Sequence, residues 1–409
     1  MKFKLSAIII LLLVICFTQC KTKQKTITKA ETKPLIPNQD TTVIAYHYDT
    51  LRKSKPIKFD YIEIDTIKPE TYYEQAFNEL KDMLERKVPL DFKRAVFITE
   101  NAYYKNKLDY NNFNKQVKLL SFLVRKWCYK NELLNYKYAD SVNLKLNGGI
   151  FHIMTDTTIF LDDSKAMINY PFVYDFEDCF GNESWSKMFV TKLLRTHKGN
   201  CHSLPFLYKI LAEELNVKAY LAFAPNHIYL RNFCKKIGWY NTELTNAMFP
   251  TEAWVMSSGY ISTESIVSGI YMDSLSLTES IVVCMNDLAK GYQRKFPKND
   301  ISFILKCCDL GLRYYPNYAE LLLLKAETHK QAYFNTINKY GLNAPTDAKH
   351  KNYVNFNLQE MDKTYALLHK LHYREIPDKM YFEWMKTLEY NKEKYSDVKI
   401  INTFNNNKK

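Results

Sequence analysis

Gly199-Asn200-Cys201-His202-Ser203-Leu204-Pro205, Ala224-Pro225-Asn226-His227-Ile228-Tyr229-Leu230-Arg231 and Trp239-Tyr240-Asn241-Thr242-Glu243-Leu244-Thr245 decide how this chain is read. Pro205 fits the first turn of a helix, where its missing N–H costs nothing. Leu207, Ile210, Leu211 and Leu215 then share one side of that helix. Three strands are expected after it, over 218–224, 227–232 and 239–244, joined by a Pro225-Asn226 turn and a turn over 235–238. A helix followed by a small antiparallel meander is an α+β arrangement.

The same stretch proposes a chemistry. Cys201 comes directly before a helix, whose partial positive end favours thiolate over thiol. A thiolate nucleophile needs a base, and the base needs an orienting group. His227, Tyr229 and Arg231 share one face of their strand, and Trp239, Asn241 and Glu243 share one face of the next. A hairpin centred on Lys235 sets His227 opposite Glu243. A two-residue change of register at Gly238 sets it opposite Asn241 instead. The spacing therefore proposes Cys201 as nucleophile, His227 as acid/base, and Glu243 or Asn241 as orienter. Each residue taken alone reads equally as a small core Cys or an ordinary strand His.

These residues together resemble the transglutaminase-like superfamily, whose pattern is a G-x-C nucleophile, a His with an aromatic two residues on, and an acid after a Trp. Ser203-Leu204-Pro205-Phe206-Leu207-Tyr208 and the 224–231 run are similar to a bacterial branch in which a compact core precedes tetratricopeptide-type helices. The resemblance implies a papain-like core and a Cys201–His227–Glu243 site, with Asn241 second to Glu243. It also implies thiol-dependent hydrolysis of, or acyl transfer from, a peptide or protein amide without a cofactor. Two departures stand: the interval from Cys to His is short for the superfamily, and the acid is Glu rather than Asp. Trp185, just upstream, is a candidate oxyanion donor as well as an ordinary core aromatic.

Outward from this stretch the chain turns helical. Tyr73, Ala76, Leu80 and Met83-Leu84 recur at helical intervals, and further helices are expected over 92–104 and 112–129. Residues 139–180 read as mixed, with short alternating stretches at Ile150–Met154 and Ile159–Leu161. Asn182 is placed to cap a helix carrying Trp185, Met188, Phe189, Leu193 and Leu194. Beyond 278, Leu288-Ala289-Tyr292, then Ile304, Cys308 and Gly311 before Pro316, then 317–330, read as helical hairpins of tetratricopeptide-like spacing. The expected division is a core over 67–278, helices over 279–395 and a tail over 396–409.

At the other end, Lys2 and Lys4 precede an apolar run from Leu5 to Phe17. That run is shorter than the ~20 residues of a membrane span and suits a secretory signal. Cys20 at its end resembles the acylated Cys of a bacterial lipobox, with Gln19 where a small residue is usual; a plain cleaved signal is the other reading. Residues 1–19 are then a signal peptide, and 20–66, rich in Lys, Thr and Pro, a tether. The chain carries a formal charge of +13. With Lys21, Lys23, Lys25, Lys29 and Lys33 beside the anchor, part of it suits an anionic membrane surface, at about 1 kcal/mol per basic residue. Export argues against nucleic acid as partner, and no nucleic-acid motif occurs.

Of the nine cysteines, Cys16 lies in the signal and Cys20 at its end. Cys128, Cys179, Cys201, Cys234, Cys284, Cys307 and Cys308 remain, an odd number that leaves at least one thiol unpaired. No C-x-x-C pair occurs, and Cys201, His202, His227 and Cys234 match no common zinc spacing. His202 is expected to point away from the site. Asp175, Asp178 and Asp162-Asp163 are acidic enough for a hard cation, though acidic loops are usually only solvated. Two functional readings follow: an exported, lipid-anchored cysteine acyl-transfer enzyme of the cell envelope, or a catalytically silent scaffold of the same fold that binds a protein through its C-terminal helices.

Overall fold

The computed structural model describes residues 69–162, 165–297, 301–340 and 348–404. The expected signal and tether segments, Cys20 and Asp163 lie outside them. The fold is mixed helix and strand with a helical C-terminal region. Four helices lead in: α1 (Pro69–Leu84), α2 (Phe92–Tyr103), α3 (Tyr110–Lys130) and α4 (Ser141–Thr155). The apolar spacing of α1 buries Tyr73, Ala76, Phe77, Leu80 and Leu84 together. Asp91 and Asp109 accept N–H bonds at the starts of α2 and α3, which fixes where those helices begin.

Residues 150–154, expected as an alternating stretch, lie instead in α4. Gly148-Gly149 looks like a break in sequence, yet here it is a packing device. A side chain at Gly149 would collide with Cys128 and Val124 of α3, and one at Gly148 with Phe404. The helix thus gives up propensity for close approach.

β1 (Thr158–Asp162) and β2 (Lys165–Asn169) form a hairpin, and β3 (Val173–Tyr174) pairs in parallel with β4 (Lys198–Gly199). Between them lie a 3-10 turn (Trp185–Met188) and α5 (Val190–Thr196). Asn182 does not cap α5. The carboxylate of Glu100, far back on α2, accepts from Val190 and Thr191 at 2.7 and 2.9 Å. A cap supplied across the core leaves no local signature.

Then come α6 (Ser203–Glu214) and an antiparallel sheet in the order β5 (Tyr220–Ala224), β6 (His227–Cys234), β7 (Gly238–Thr242), the expected meander. α7 (Glu252–Ser258) and α8 (Thr263–Val267) lead to α9 (Leu277–Lys295), which a Ser276–Glu279 capping box opens. α10 (Ser302–Tyr314), α11 (Ala319–Tyr340), α12 (Ala348–Lys370), α13 (Asp378–Tyr390), α14 (Lys392–Tyr395) and α15 (Val398–Phe404) complete the chain. Helix α9 packs on α1, α2 and α10, and α11 pairs with α12. One apolar core runs from Tyr72 to Met385, across residue 278. Cys307 and Cys308 are fully buried in it. No disulfide joins the seven described cysteines.

Candidate active site

Cys201 sits in the turn just before α6, held there by Asn200, whose Oδ1 accepts from the backbone N–H groups of His202 and Ser203. That arrangement satisfies the open end of the helix and leaves the Cys201 side chain facing β6. His227 and the Tyr381 hydroxyl are the polar neighbours that act on the Cys201 sulfur, and Cys201 and His227 line one cavity. His227 Nε2 lies 2.6 Å from Glu243 Oε2, and Nδ1 lies 3.3 Å from the Tyr381 hydroxyl. The other Glu243 oxygen accepts from the Thr245 N–H at 2.8 Å. His227 and Glu243 are thus in contact, Cys201 is within electrostatic reach of His227, and all three are buried.

The register that joins them differs from both expected ones. Leu230 pairs with Thr242 and Cys234 with Gly238, so the ladder, continued, would set Glu243 beside Tyr229 rather than His227. Glu243 reaches His227 diagonally along the shared face. Diagonal neighbours lie about 7–8 Å apart, within the span of a longer side chain. The extra methylene of Glu over Asp suits that reach. Asn241 stays on the ladder opposite Arg231, and its amide donates to the Pro250 carbonyl at 3.1 Å. It does not touch His227.

Burial alone would push the His227 imidazolium toward neutrality. The charge of Glu243 and the hydrogen bonds to Cys201 and Glu243 outweigh it and lift the pKa to about 10. Burial would raise the Cys201 thiol, but the hydrogen bond and charge of His227 draw it below its ordinary value. Burial also opposes ionisation of Glu243, and the imidazolium together with the Thr245 hydrogen bonds reverses that. The arrangement favours a thiolate–imidazolium–carboxylate row.

Glu243→Gln removes the charge that holds the imidazolium. The thiolate then loses its partner at lower pH, and alkylation of Cys201 should fall about tenfold or more at pH 6, for one hydrogen bond to a charged group. The stabilising contribution of Glu243 is present above its unfolded pKa near 4.5 and is lost as pH falls through its lowered folded value. Denaturant midpoints of wild type and Glu243→Gln should therefore converge toward acid pH.

His202, expected to point away from the site, borders it. It lines the same cavity, of about 440 Å³, as Cys201, His227 and Trp185. Its Nδ1 donates to the Met188 carbonyl at 3.0 Å, and its Nε2 lies 2.9 Å from Asp287 Oδ2. Both ring nitrogens face acceptors, so the imidazolium satisfies both. Burial opposes that charge, and Asp287 overcomes it and raises the pKa. This second cation also helps lower the Cys201 thiol.

His202→Ala strands a buried Asp287, an expected loss of about 3 kcal/mol. Adding Asp287→Asn should recover part of the loss in a denaturant titration. Because the His202 pKa is raised, its contribution is full below the ordinary 6.5 and fades as pH rises through the folded value.

The remaining candidates hold no ion site. Asp175 accepts from Lys187 and Lys192 at 2.9 and 2.8 Å, and Asp178 accepts the N–H groups of Asn182, Glu183 and Ser184. Cys234 is buried beside Tyr136 and Tyr240, apart from the cavity. Among the described residues no His, Cys, Asp and Glu side chains cluster as metal ligands.

Three contributors carry no sequence signal near Cys201: Asp287 on α9, and Tyr381 and Trp384 on α13. The Trp384 ring meets His227 edge-on at 4.8 Å. Their approach is a product of the helices folding back over the sheet.

No protein-family model matches the chain, and no curated protein matches it in sequence. Among solved structures, the crystal structure of menin, described as revealing the binding site for Mixed Lineage Leukemia protein, shares 10% identity with this chain. The match covers 81% of this chain and 76% of that one, with a TM-score of 0.35. A likeness that slight carries no argument about function. No helix among the described residues is long and apolar enough to cross a membrane.

Proposed function

We propose that this protein is a cysteine acyl-transfer enzyme of transglutaminase-like type, exported and lipid-anchored through Cys20, that acts on peptide or protein amides at the cell envelope. The observation that carries this reading is the buried Cys201–His227–Glu243 row opening on a cavity large enough for a ligand. Ordinary core residues do not gather a nucleophile, a base and an orienter in that order.

The chemistry then follows. The Cys201 thiolate attacks the amide carbonyl carbon, forming a C–S bond. His227 Nδ1–H gives its proton to the departing amine as the C–N bond breaks, leaving a thioester. Water or a second amine attacks the thioester, His227 takes the proton, and the thiolate leaves. Glu243 keeps the ring in register throughout. The developing oxyanion lies near the Cys201 backbone N–H, and Trp185 offers a second donor. Trp185 lines the cavity, and its Nε1 is buried without a partner.

Incubation with p-nitrophenyl acetate tests the reading. One equivalent of nitrophenol should be released in a burst, with one acetyl group gained on the peptide containing Cys201. Cys201→Ser should abolish both. Acetylation that is no faster than that of a free thiol and is unchanged in His227→Ala would overturn it.

A second reading rests on the Tyr381 hydroxyl, which occupies the same His227 nitrogen that a working base needs. On that reading the site is silent and the protein is a scaffold whose C-terminal helices hold a protein partner. Partner binding that survives Cys201→Ser would favour it.

A further inference from the structure

Helix α9 is buried along most of its length, yet one stripe of it is polar and lines the cavity that holds Cys201. The stripe runs through Asn286, Asp287, Lys290, Gln293 and Arg294, at the spacing of a single helix face. Two of its charges are already matched. Asp287 meets His202, and Lys290 meets Glu320 at 2.8 Å. Arg294 is different. Its guanidinium lies over the Trp185 ring, 4.7 Å from the centroid, and no carboxylate among the described residues forms an ion pair with it. Asp178 is within electrostatic range, but its oxygens are taken by three backbone N–H groups.

Trp185 and Asn286, which line the cavity beside this cation, each carry a buried atom without a hydrogen-bond partner. Trp185 Nε1 is a buried donor without an acceptor, and Asn286 Oδ1 is a buried acceptor without a donor. Buried polar atoms left unpartnered are destabilising, so a ligand that supplies a partner to either is favoured. A donor, an acceptor and a flat guanidinium held against an aromatic ring are complementary to a peptide unit followed by a carboxylate.

We infer that the acyl chain presented to Cys201 carries a carboxylate, and that Arg294, stacked on Trp185, is the residue that selects for it. The substrate class is therefore an acidic peptide amide rather than a neutral or basic one. This rests on Cys201 being the reacting group of the proposed function, and it adds the specificity.

The test uses the rate at which paired reagents alkylate Cys201 in the folded protein, read on the Cys201 peptide by mass spectrometry at pH 9. N-iodoacetylglycine is paired with its carboxamide, which probes a terminal carboxylate. N-iodoacetylaspartic acid α-amide is paired with N-iodoacetylasparagine amide, which probes a side-chain carboxylate. In at least one pair the acid should react about tenfold faster than its neutral twin, the worth of one hydrogen bond to a charged group. Whichever pair shows it identifies the source of the carboxylate.

Arg294→Gln should bring that ratio to one, Arg294→Lys should keep part of it, and added salt should reduce it. Both variants lie at an exposed position, and unchanged melting curves establish that each is folded. A wild-type ratio near one in both pairs, or a ratio that Arg294→Gln leaves intact, overturns the inference. The ratio is independent of how activated the thiol is. Slow absolute rates that do not depend on His227, with the ratio preserved, would sink the enzyme reading and leave the carboxylate site standing. A Cys201 that resists every reagent would remove both.

Discussion

Replacing His227 with Ala should slow alkylation of Cys201 by iodoacetamide at pH 6 about a hundredfold. An ordinary thiol, with pKa ~8.5, is less than about 1% ionised at that pH. In the wild-type protein the imidazolium holds the thiolate, and that imidazolium persists until pH approaches about 10. With the thiol itself drawn below its ordinary value, the wild-type rate should accordingly change with pH less steeply than that of an ordinary thiol. The lower basicity of a stabilised thiolate takes back part of the gain, so the expected factor is set below the full ratio of ionised fractions.

In His227→Ala the profile should become that of a buried thiol, rising about tenfold per unit of pH and passing its midpoint above ~8.5, because burial alone opposes the thiolate. The stability of the two proteins should differ in the same window. A raised His pKa stabilises the fold fully below the unfolded value of 6.5, and that contribution is lost as pH rises through the folded one. Urea midpoints should therefore separate most below about pH 6.5, narrow as pH rises and draw together above pH 10. A wild-type alkylation profile retained in His227→Ala would mean that another group, His202 foremost, governs the thiol.

The second large effect is expected at Trp384. It is buried, stacks 5.9 Å from Trp254 and meets His227 edge-on. Trp384→Ala should destabilise the fold by about 3–5 kcal/mol, the range for emptying an aromatic site in a core. Trp384→Phe should cost much less, about 1 kcal/mol, because the shape is largely kept. No hydrogen bond is lost either, since Trp384 Nε1 is buried without a partner.

The same change should reach the chemistry. Space opened beside the His227 ring lets water in and lets the ring leave the line between Cys201 and Glu243. The Cys201 alkylation profile in Trp384→Ala should then shift toward that of an ordinary thiol, while Trp384→Phe keeps the wild-type profile. Loss of stability with an unchanged profile in Trp384→Ala would mean that α13 covers the site without shaping it. Denaturant titration and the pH profile together separate the two outcomes.

Much of this arrangement is legible locally. The α1 stripe, the helix after Cys201 and the three-stranded meander follow from spacing, a tolerated Pro205 and a turn at Pro225-Asn226, because each is decided by neighbours in the chain. Failures of local reading have a common cause. Gly148-Gly149 reads as a break until α3 is seen to need its space, and α5 lacks a local cap because Glu100 supplies one from across the core. His227 and Glu243 are legible as residues on adjacent strands, but their contact depends on a register that a turn of a few residues leaves open.

By itself, then, the sequence determined which residues lie on which faces: Cys201 at a helix start, and His227 and Glu243 on one side of a hairpin. Only the tertiary structure decided that Glu243 and not Asn241 holds the imidazole. Only it brought Asp287, Arg294, Tyr381 and Trp384 to the same cavity. Periodicity is a property of the backbone and is written every few residues. The meeting of side chains roughly eighty to more than a hundred residues apart depends on how whole helices pack, and no short segment encodes it.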